Sequence, residues 1–312
     1  MATEAGRRVV LSVLWLTAAC FLVSALAFTA IMIAAGALGL IAGDQQRHLL
    51  EGMLGGLAVM TAAFLLLPGI GRLARFGDEV RLLELCDPGA PLLRALLEQA
   101  PGTYHHSIIV GSMVEAAAHE IGADALLART GAYYHDVGKV LRPQFFTENQ
   151  LGIRNPHDAA QPAQSAFIIT AHVREGVEMA QKARLPLPVI DIIAQSHGTS
   201  LVACFYGKAV SGGQSVDEAP YRYEGIVPKT REAALVMIAD GSEAAARALP
   251  EAGPAQIETA VRRVVQSKRS DGQLAESGMS EDDIEKTVAV YARMLSSQRH
   301  GRVEYPEVAG RA

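Results

Sequence analysis

Cysteine is scarce. Cys20, Cys86 and Cys204 are scattered over 312 residues and form no CxxC pair. That excludes a disulfide framework and a thiolate zinc site, and it fits a reducing compartment. Aromatic residues are equally thin, at 5% of a chain that is half hydrophobic. Aliphatic richness without aromatics suits helices better than a β-sandwich, and no stretch alternates convincingly as a strand would. A basic excess is also missing. With a net charge of −5 the chain offers no general surface for a DNA or RNA polymer. Charge of either sign is rare near the N-terminus, where Glu4, Arg7, Arg8, Asp44, Arg47 and Glu51 are the only charged side chains before Gly71.

Two long apolar runs fill that region. Val9 to Gly43 carries no charge, and a second run extends from Gly52 to Ile70. About 20 apolar residues suffice for one crossing of a bilayer. Placing Asp44 or Arg47 at mid-bilayer would cost roughly 3 kcal/mol each, so the segment from Asp44 to His48 is expected to be a polar loop. Arg7 and Arg8 before the first span, and Arg72 and Arg75 after the second, put both ends on the cytoplasmic side by the positive-inside rule. The expected organisation is a membrane anchor over residues 1–75, a helical hairpin with spans at about 9–43 and 52–70. A cytoplasmic domain over 76–306 and a tail over 307–312 follow. The lipid bilayer is thus an expected partner and the inner cell membrane the expected location, with a second copy of the chain a candidate partner.

Beyond Phe76 the pattern is helical throughout. Leu82, Leu83 and Leu85, then Leu92, Leu93, Leu96 and Leu97, predict two short amphipathic helices split at Asp87-Pro88-Gly89. Pro101-Gly102 reads as a turn. Further helices are predicted over 107–121, 125–135, 163–182, 189–195, 230–249, 255–268 and 280–297. Thr230 and Ser280 serve as N-caps, and Asp283 completes a capping box with Ser280. Ala209 to Pro220 reads as a loop rich in small residues. The fold class is therefore all-α.

The chemistry is carried by histidines. The strongest pattern is Tyr134-His135-Asp136-Val137-Gly138-Lys139. An adjacent imidazole and carboxylate can both bind metal, and the carboxylate can bridge two cations. Gly138 is read as ending the helix, and Lys139 as facing an anionic substrate. Asp240 follows the apolar Val236-Met237-Ile238-Ala239, and a carboxylate buried there needs a partner. His48, His119 and His300 read as surface residues, His105 as a neighbour of His106, and His157 as a substrate contact or a turn cap. Glu243 and Arg247, at i and i+4, read as a surface pair.

Taken together these stretches resemble the HD-superfamily metal phosphohydrolases. Within them, the chain is similar to the cytoplasmic domain of the seven-transmembrane HD proteins, bacterial cyclic-di-AMP phosphodiesterases. The resemblance rests on Ala100-Pro101-Gly102-Thr103-Tyr104-His105-His106-Ser107, Gly131 to Lys139, Arg142 to Phe146, Glu148-Asn149-Gln150 and Asn155-Pro156-His157-Asp158. It continues through His172, His197-Gly198-Thr199, Phe205-Tyr206, Ala239-Asp240 and Val303-Glu304-Tyr305-Pro306. It implies a chain truncated on its N-terminal side relative to full-length members. It also implies hydrolysis of a cyclic dinucleotide, cyclic di-AMP, to a linear dinucleotide. Metal ligands would be His106, His135, Asp136, His172 and Asp240, with His197 added if it reaches the second ion. Catalysis would fall to Asp136 and Lys139, and substrate contact to Lys139 and Thr199. The cofactors would be two divalent ions, manganese or iron, which accept imidazole and carboxylate together.

One position departs from the pattern. The family reads His-His-Gly-Thr where this chain reads Ser196-His197-Gly198-Thr199, and the first of those histidines is the expected ligand of the second ion. Three outcomes stay open: His197 reaches over, the second site is weak, or water substitutes. A weak site would leave a nucleotide-binding module without catalysis.

Overall fold

The structure is a computed structural model. It describes residues 28–31, 33–39, 43–150, 152, 154–211, 216–249 and 251–297. Most of the expected first span, Arg7, Arg8, His300, Val303-Glu304-Tyr305-Pro306 and the 307–312 tail lie outside these residues. The chain divides into two units, Met1–Val80 and Arg81–Ala312.

In the first unit the expected polar loop is absent. Asp44 to His48 are helical, part of a helix α1 at Gly43–Leu85. Asp44, Gln45, Arg47 and His48 instead sit on an exposed helix surface, where Arg47 Nε pairs with Glu51 Oε1 at 3.1 Å. The same helix absorbs the first of the two short helices expected after Phe76. Among the described residues no helix is long and apolar enough to cross a membrane.

The second unit is helical. Its elements are α2 (Pro91–Gln99), α3 (Pro101–Ile121), α4 (Ala125–Tyr134), α5 (Pro162–Lys182), α6 (Leu187–Gln195), α7 (Ala203–Val210), α8 (Arg231–Arg247), α9 (Pro254–Ser270) and α10 (Glu281–Ser297). Short 3₁₀ turns over 137–141, 143–145, 147–149 and 156–159 join α4 to α5. Caps account for many of these ends. Thr230 accepts from the Ala233 N–H at the start of α8. Ser280 and Asp283 exchange the two hydrogen bonds of a capping box before α10.

Pro101-Gly102 is not a turn. Pro101 opens α3, where its missing N–H costs nothing. A Cβ on Gly102 would lie 1.9 Å from the Glu148 carbonyl oxygen, so glycine is required there for close approach of the 147–149 turn. Helix α7 is not among the predicted helices, and its last two residues, Ala209 and Val210, fall within the expected loop; it is held by buried Phe205 packed near Ala166 and Tyr221.

The core explains the site's position. Ala233 to Ala239 of α8 are all buried, so this helix is apolar all round and runs through the middle of the unit. Val110, Met113 and Val114 of α3, Ile257 and Val261 of α9, and Val288 and Tyr291 of α10 surround it. The Tyr291 hydroxyl donates to the Leu235 carbonyl at 2.9 Å. Asp240 lies where this buried stretch ends.

Candidate metal centre

Five segments deliver their side chains to one point. His106 comes from the second turn of α3, and His135 and Asp136 from the end of α4. His172 is mid-α5, His197 lies just after α6, and Asp240 is on α8. The two oxygens of the fully buried Asp136 carboxylate face different partners. Oδ2 lies 3.2 Å from His135 Nε2 and 3.7 Å from His106 Nε2, which is itself 3.2 Å from Asp240 Oδ1. Oδ1 lies 3.2 Å from His172 Nε2 and 3.7 Å from His197 Nε2. Two groups of potential ligand atoms result: His106, His135, Asp136 and Asp240, and then Asp136, His172 and His197, with the atoms of each within 4.8 Å of one another.

The rear atoms of three imidazoles are tied. His135 Nδ1 lies 2.7 Å from the Ala132 carbonyl and His172 Nδ1 lies 2.5 Å from the Ile169 carbonyl. A carbonyl only accepts, so each Nδ1 carries the hydrogen and each Nε2 lone pair faces inward. His106 Nδ1 meets Glu243 Oε2 at 2.7 Å. The inward Nε2 atoms of all four histidines, and both Asp136 oxygens, are buried without an aligned hydrogen bond. Buried polar atoms left so are costly, and here they converge. Imidazole and carboxylate donors without thiolate fit a divalent cation of the manganese or iron type.

Charge is arranged to match. Burial opposes ionisation of Asp136, yet His135 and Lys139 hold its carboxyl well below the usual carboxylate range. Asp240 is likewise held low, against burial, chiefly by His106. Burial disfavours the His106 imidazolium, but Asp240 and Glu243 outweigh it and raise the group to about 9. For His197 burial prevails, lowering it to about 4.

Lys139 does not stand free. Its ammonium lies 2.6 Å from Asp136 Oδ2 and 2.9 Å from Glu148 Oε1, and these carboxylates raise its pKa against the effect of burial. Gly138 does not turn the chain away either: a Cβ there would lie 2.0 Å from the His172 carbonyl oxygen, so it is glycine because α5 crosses against it. Thr199 is engaged at both ends. Its hydroxyl accepts from Gln273 Nε2 at 2.9 Å, and its N–H donates to Gln273 Oε1. The Ser196 hydroxyl points away from the cluster, donating to the Ile193 carbonyl at 2.9 Å, while His197 is the member of this turn that faces Asp136.

Sequence reasoning passed over several residues. Glu243 is buried and braces His106 while also pairing with Arg247, so it is no surface pair. Its place three residues after Asp240, on the same helical face, was the available signal. Tyr223 stacks on His197 with centroids 4.5 Å apart and planes at 10°; its loop carries no local mark. His157 is buried, with Nε2 at 2.9 Å from the Phe145 carbonyl and its ring against Phe205. His105 and His119 are exposed.

The chain is also similar to known proteins. The HD domain family matches residues 103–245. The chain is 44% identical over 228 residues, 73% of its length, to the cyclic-di-AMP phosphodiesterase PgpH of Bacillus subtilis (strain 168). It is 43% identical over 227 residues to the protein of that name from Listeria monocytogenes serotype 1/2a (strain 10403S). In each case it spans 32% of the relative's length. The crystal structure of the L. monocytogenes PgpH HD domain in complex with cyclic-di-AMP superposes with a TM-score of 0.66 at 42% identity, covering 68% of this chain and all of that one.

Proposed function

Because the chain belongs to the HD-domain phosphodiesterase family, we propose that it hydrolyses cyclic di-AMP to a linear dinucleotide at the Asp136 cluster. The observation that carries this reading is the division of Asp136, whose Oδ2 faces His135 and His106 while Oδ1 faces His172 and His197. A carboxylate so placed would suit two divalent cations, manganese or iron. Asp240 and His106 would complete the first set, and His172 with His197 the second. When bound, such cations supply Lewis acidity toward the phosphoryl oxygens and lower the pKa of an attacking water.

The chain's own residues prepare that site. Backbone carbonyls of Ala132 and Ile169 fix the tautomers of His135 and His172. Lys139 keeps Asp136 ionised, and Glu148 holds Lys139 in place, itself accepting from the Thr103 hydroxyl at 3.1 Å. Lys139 is therefore a positioning group for the carboxylate more than a free phosphate contact. The placement of His197 favours a complete second set over a site degraded at Ser196.

The test is direct. Purified chain incubated with Mn²⁺ or Fe²⁺ should convert cyclic di-AMP to the linear dinucleotide, and Asp136→Ala should abolish both turnover and metal uptake. Binding of cyclic di-AMP with no turnover under either metal would sink the catalytic reading.

We further propose that the N-terminal region attaches the chain to the inner membrane with the HD domain on the cytoplasmic side. The support is the charge-free run from Val9 to Gly43, together with Phe28, Ile31, Ile33, Leu38, Leu54 and Leu57, all exposed in the structure. Isolated exposed apolar residues are ordinary, but a concentration of them marks a contact surface. Release of the full chain from membranes by alkaline carbonate, without detergent, would count against it.

A further inference from the structure

The segment from Ala219 to Ile226 sits on the His197 turn, and several contacts fix it there. The Val202 N–H donates to the Tyr221 carbonyl at 2.8 Å and the Tyr223 N–H to the Ser200 carbonyl at 3.1 Å. Arg222 donates to the Thr199 carbonyl at 2.8 Å and pairs with Asp271 and Glu218. A Cβ on Gly225 would lie 2.5 Å from the Gly198 carbonyl oxygen, so the two backbones touch. Between these anchors stands Tyr223. Its ring lies flat on His197 and edge-on to His172, with centroids 6.0 Å apart in the second case.

A ring alone would do for stacking, and phenylalanine would serve. Yet the residue carries a hydroxyl, and among the described residues that hydroxyl has no hydrogen-bond partner. The ring lies against two members of the ligand set, His197 and His172, so the hydroxyl is carried at the edge of that set. Tyr223 also lines a cavity of about 510 Å³ together with Phe167, Ala171, Arg174 and Ile226. At neutral pH a tyrosine hydroxyl is a donor. Its ring already braces the ligand set, so the acceptor the free hydroxyl suits is one brought by the substrate.

We propose that Tyr223 is a substrate-contacting catalytic residue, whose hydroxyl donates a hydrogen bond to an oxygen of the phosphoryl group held at the Asp136 cluster while its ring braces His197. The proposal rests on the phosphodiesterase reading above. A donor aimed at an oxygen that gains charge in the transition state contributes more to turnover than to binding.

Two substitutions separate ring from hydroxyl in the full chain loaded with Mn²⁺. Tyr223→Phe keeps the ring; Tyr223→Leu removes both. The measurements are manganese per chain, kcat and KM on cyclic di-AMP and on bis(p-nitrophenyl) phosphate, and calorimetric affinity for inorganic phosphate. Tyr223→Phe should retain wild-type manganese, lose at least about tenfold in kcat on both diesters with KM little changed, and bind phosphate severalfold more weakly. Tyr223→Leu should lose manganese as well. The proposal is overturned if Tyr223→Phe matches wild type in turnover and phosphate affinity, since the ring would then be structural only. A wild-type chain that cleaves bis(p-nitrophenyl) phosphate but not cyclic di-AMP would defeat the dinucleotide reading and still decide the role of Tyr223. One that neither cleaves a diester nor binds phosphate would overturn both.

Discussion

The two sides of Asp136 are built differently. On the Oδ2 side, His106 and Asp240 project from long helices and His135 caps the end of α4, and the imidazoles are braced from behind by Glu243 and the Ala132 carbonyl. On the Oδ1 side only His172 stands within a helix. His197 lies in the turn after α6, its Nδ1 3.6 Å from Asp240 Oδ2 and its ring braced by Tyr223. Side chains on helices with fixed rear atoms hold geometry better than those on loops. The Oδ2 side should therefore bind a cation more tightly, with the Oδ1 side depending on contacts distant in sequence.

The contact at Gly138 gives the largest expected effect on that contrast. Gly138→Ala would drive a Cβ into the His172 carbonyl oxygen, 2.0 Å away, and toward the Gly176 nitrogen at 2.7 Å. Backbone cannot yield as a flexible side chain does, so a loss of about 3 kcal/mol is expected. In whatever fraction folds, His172 is displaced and the Oδ1 side is emptied first. Denaturant midpoints and metal content per chain measure both. A variant as stable as wild type with full metal content would show that α5 does not position this side.

Next in size is the brace on the other side. Glu243→Gln keeps the shape but removes the charge facing His106 Nδ1, and losing such a partner costs roughly ten- to a hundredfold in metal affinity. His197→Ala should instead leave the tighter cation and remove the weaker one. Competition with a graded series of chelators distinguishes these outcomes. Equal loss from the two variants would erase the proposed asymmetry.

Ser196→His tests the same asymmetry by addition. The family pattern marks Ser196 as a missing ligand, but its side chain is wholly buried and its hydroxyl is spent on the Ile193 carbonyl. An imidazole there would have to displace packed neighbours. The variant should be less stable by about 2 kcal/mol and should gain no cation. Metal content rising above that of wild type would show that this position does supply a ligand.

These cases also show what the sequence made legible. His135 and Asp136 were readable because adjacent residues at a helix end must share a neighbourhood. The helices were readable wherever a cap or an apolar period marked them, as with Ser280 and Asp283. What failed was long-range. Gly102 and Gly138 look like turn glycines locally, and only the crossing of a distant segment shows that each makes room for another backbone. Glu243 satisfied a local i, i+4 pattern with Arg247, which hid its contact with His106, 137 positions away. The segment from Asp44 to His48 was read as a loop because a membrane was assumed around it; without that assumption its spacing is compatible with the helix observed.

The smallest effect is on pH, and it divides the two sides by sign. In metal-free chain His106 titrates at about 9, above its unfolded value of about 6.5. The folded state then binds the proton more tightly, so this stabilisation is complete below about 6.5 and is lost as pH rises toward 9. His197 titrates at about 4, below its unfolded value. Its contribution is present above about 6.5 and is lost as pH falls toward 4. Chelated protein should therefore be most stable near pH 6.5, with an alkaline arm belonging to the Oδ2 side and an acid arm to the Oδ1 side. Denaturant midpoints across pH 4 to 9 would show it: Glu243→Gln should flatten the alkaline arm and His197→Ala the acid one. If both substitutions flatten the same arm, the two sides titrate as one unit and the asymmetry drawn from their geometry does not extend to their protons.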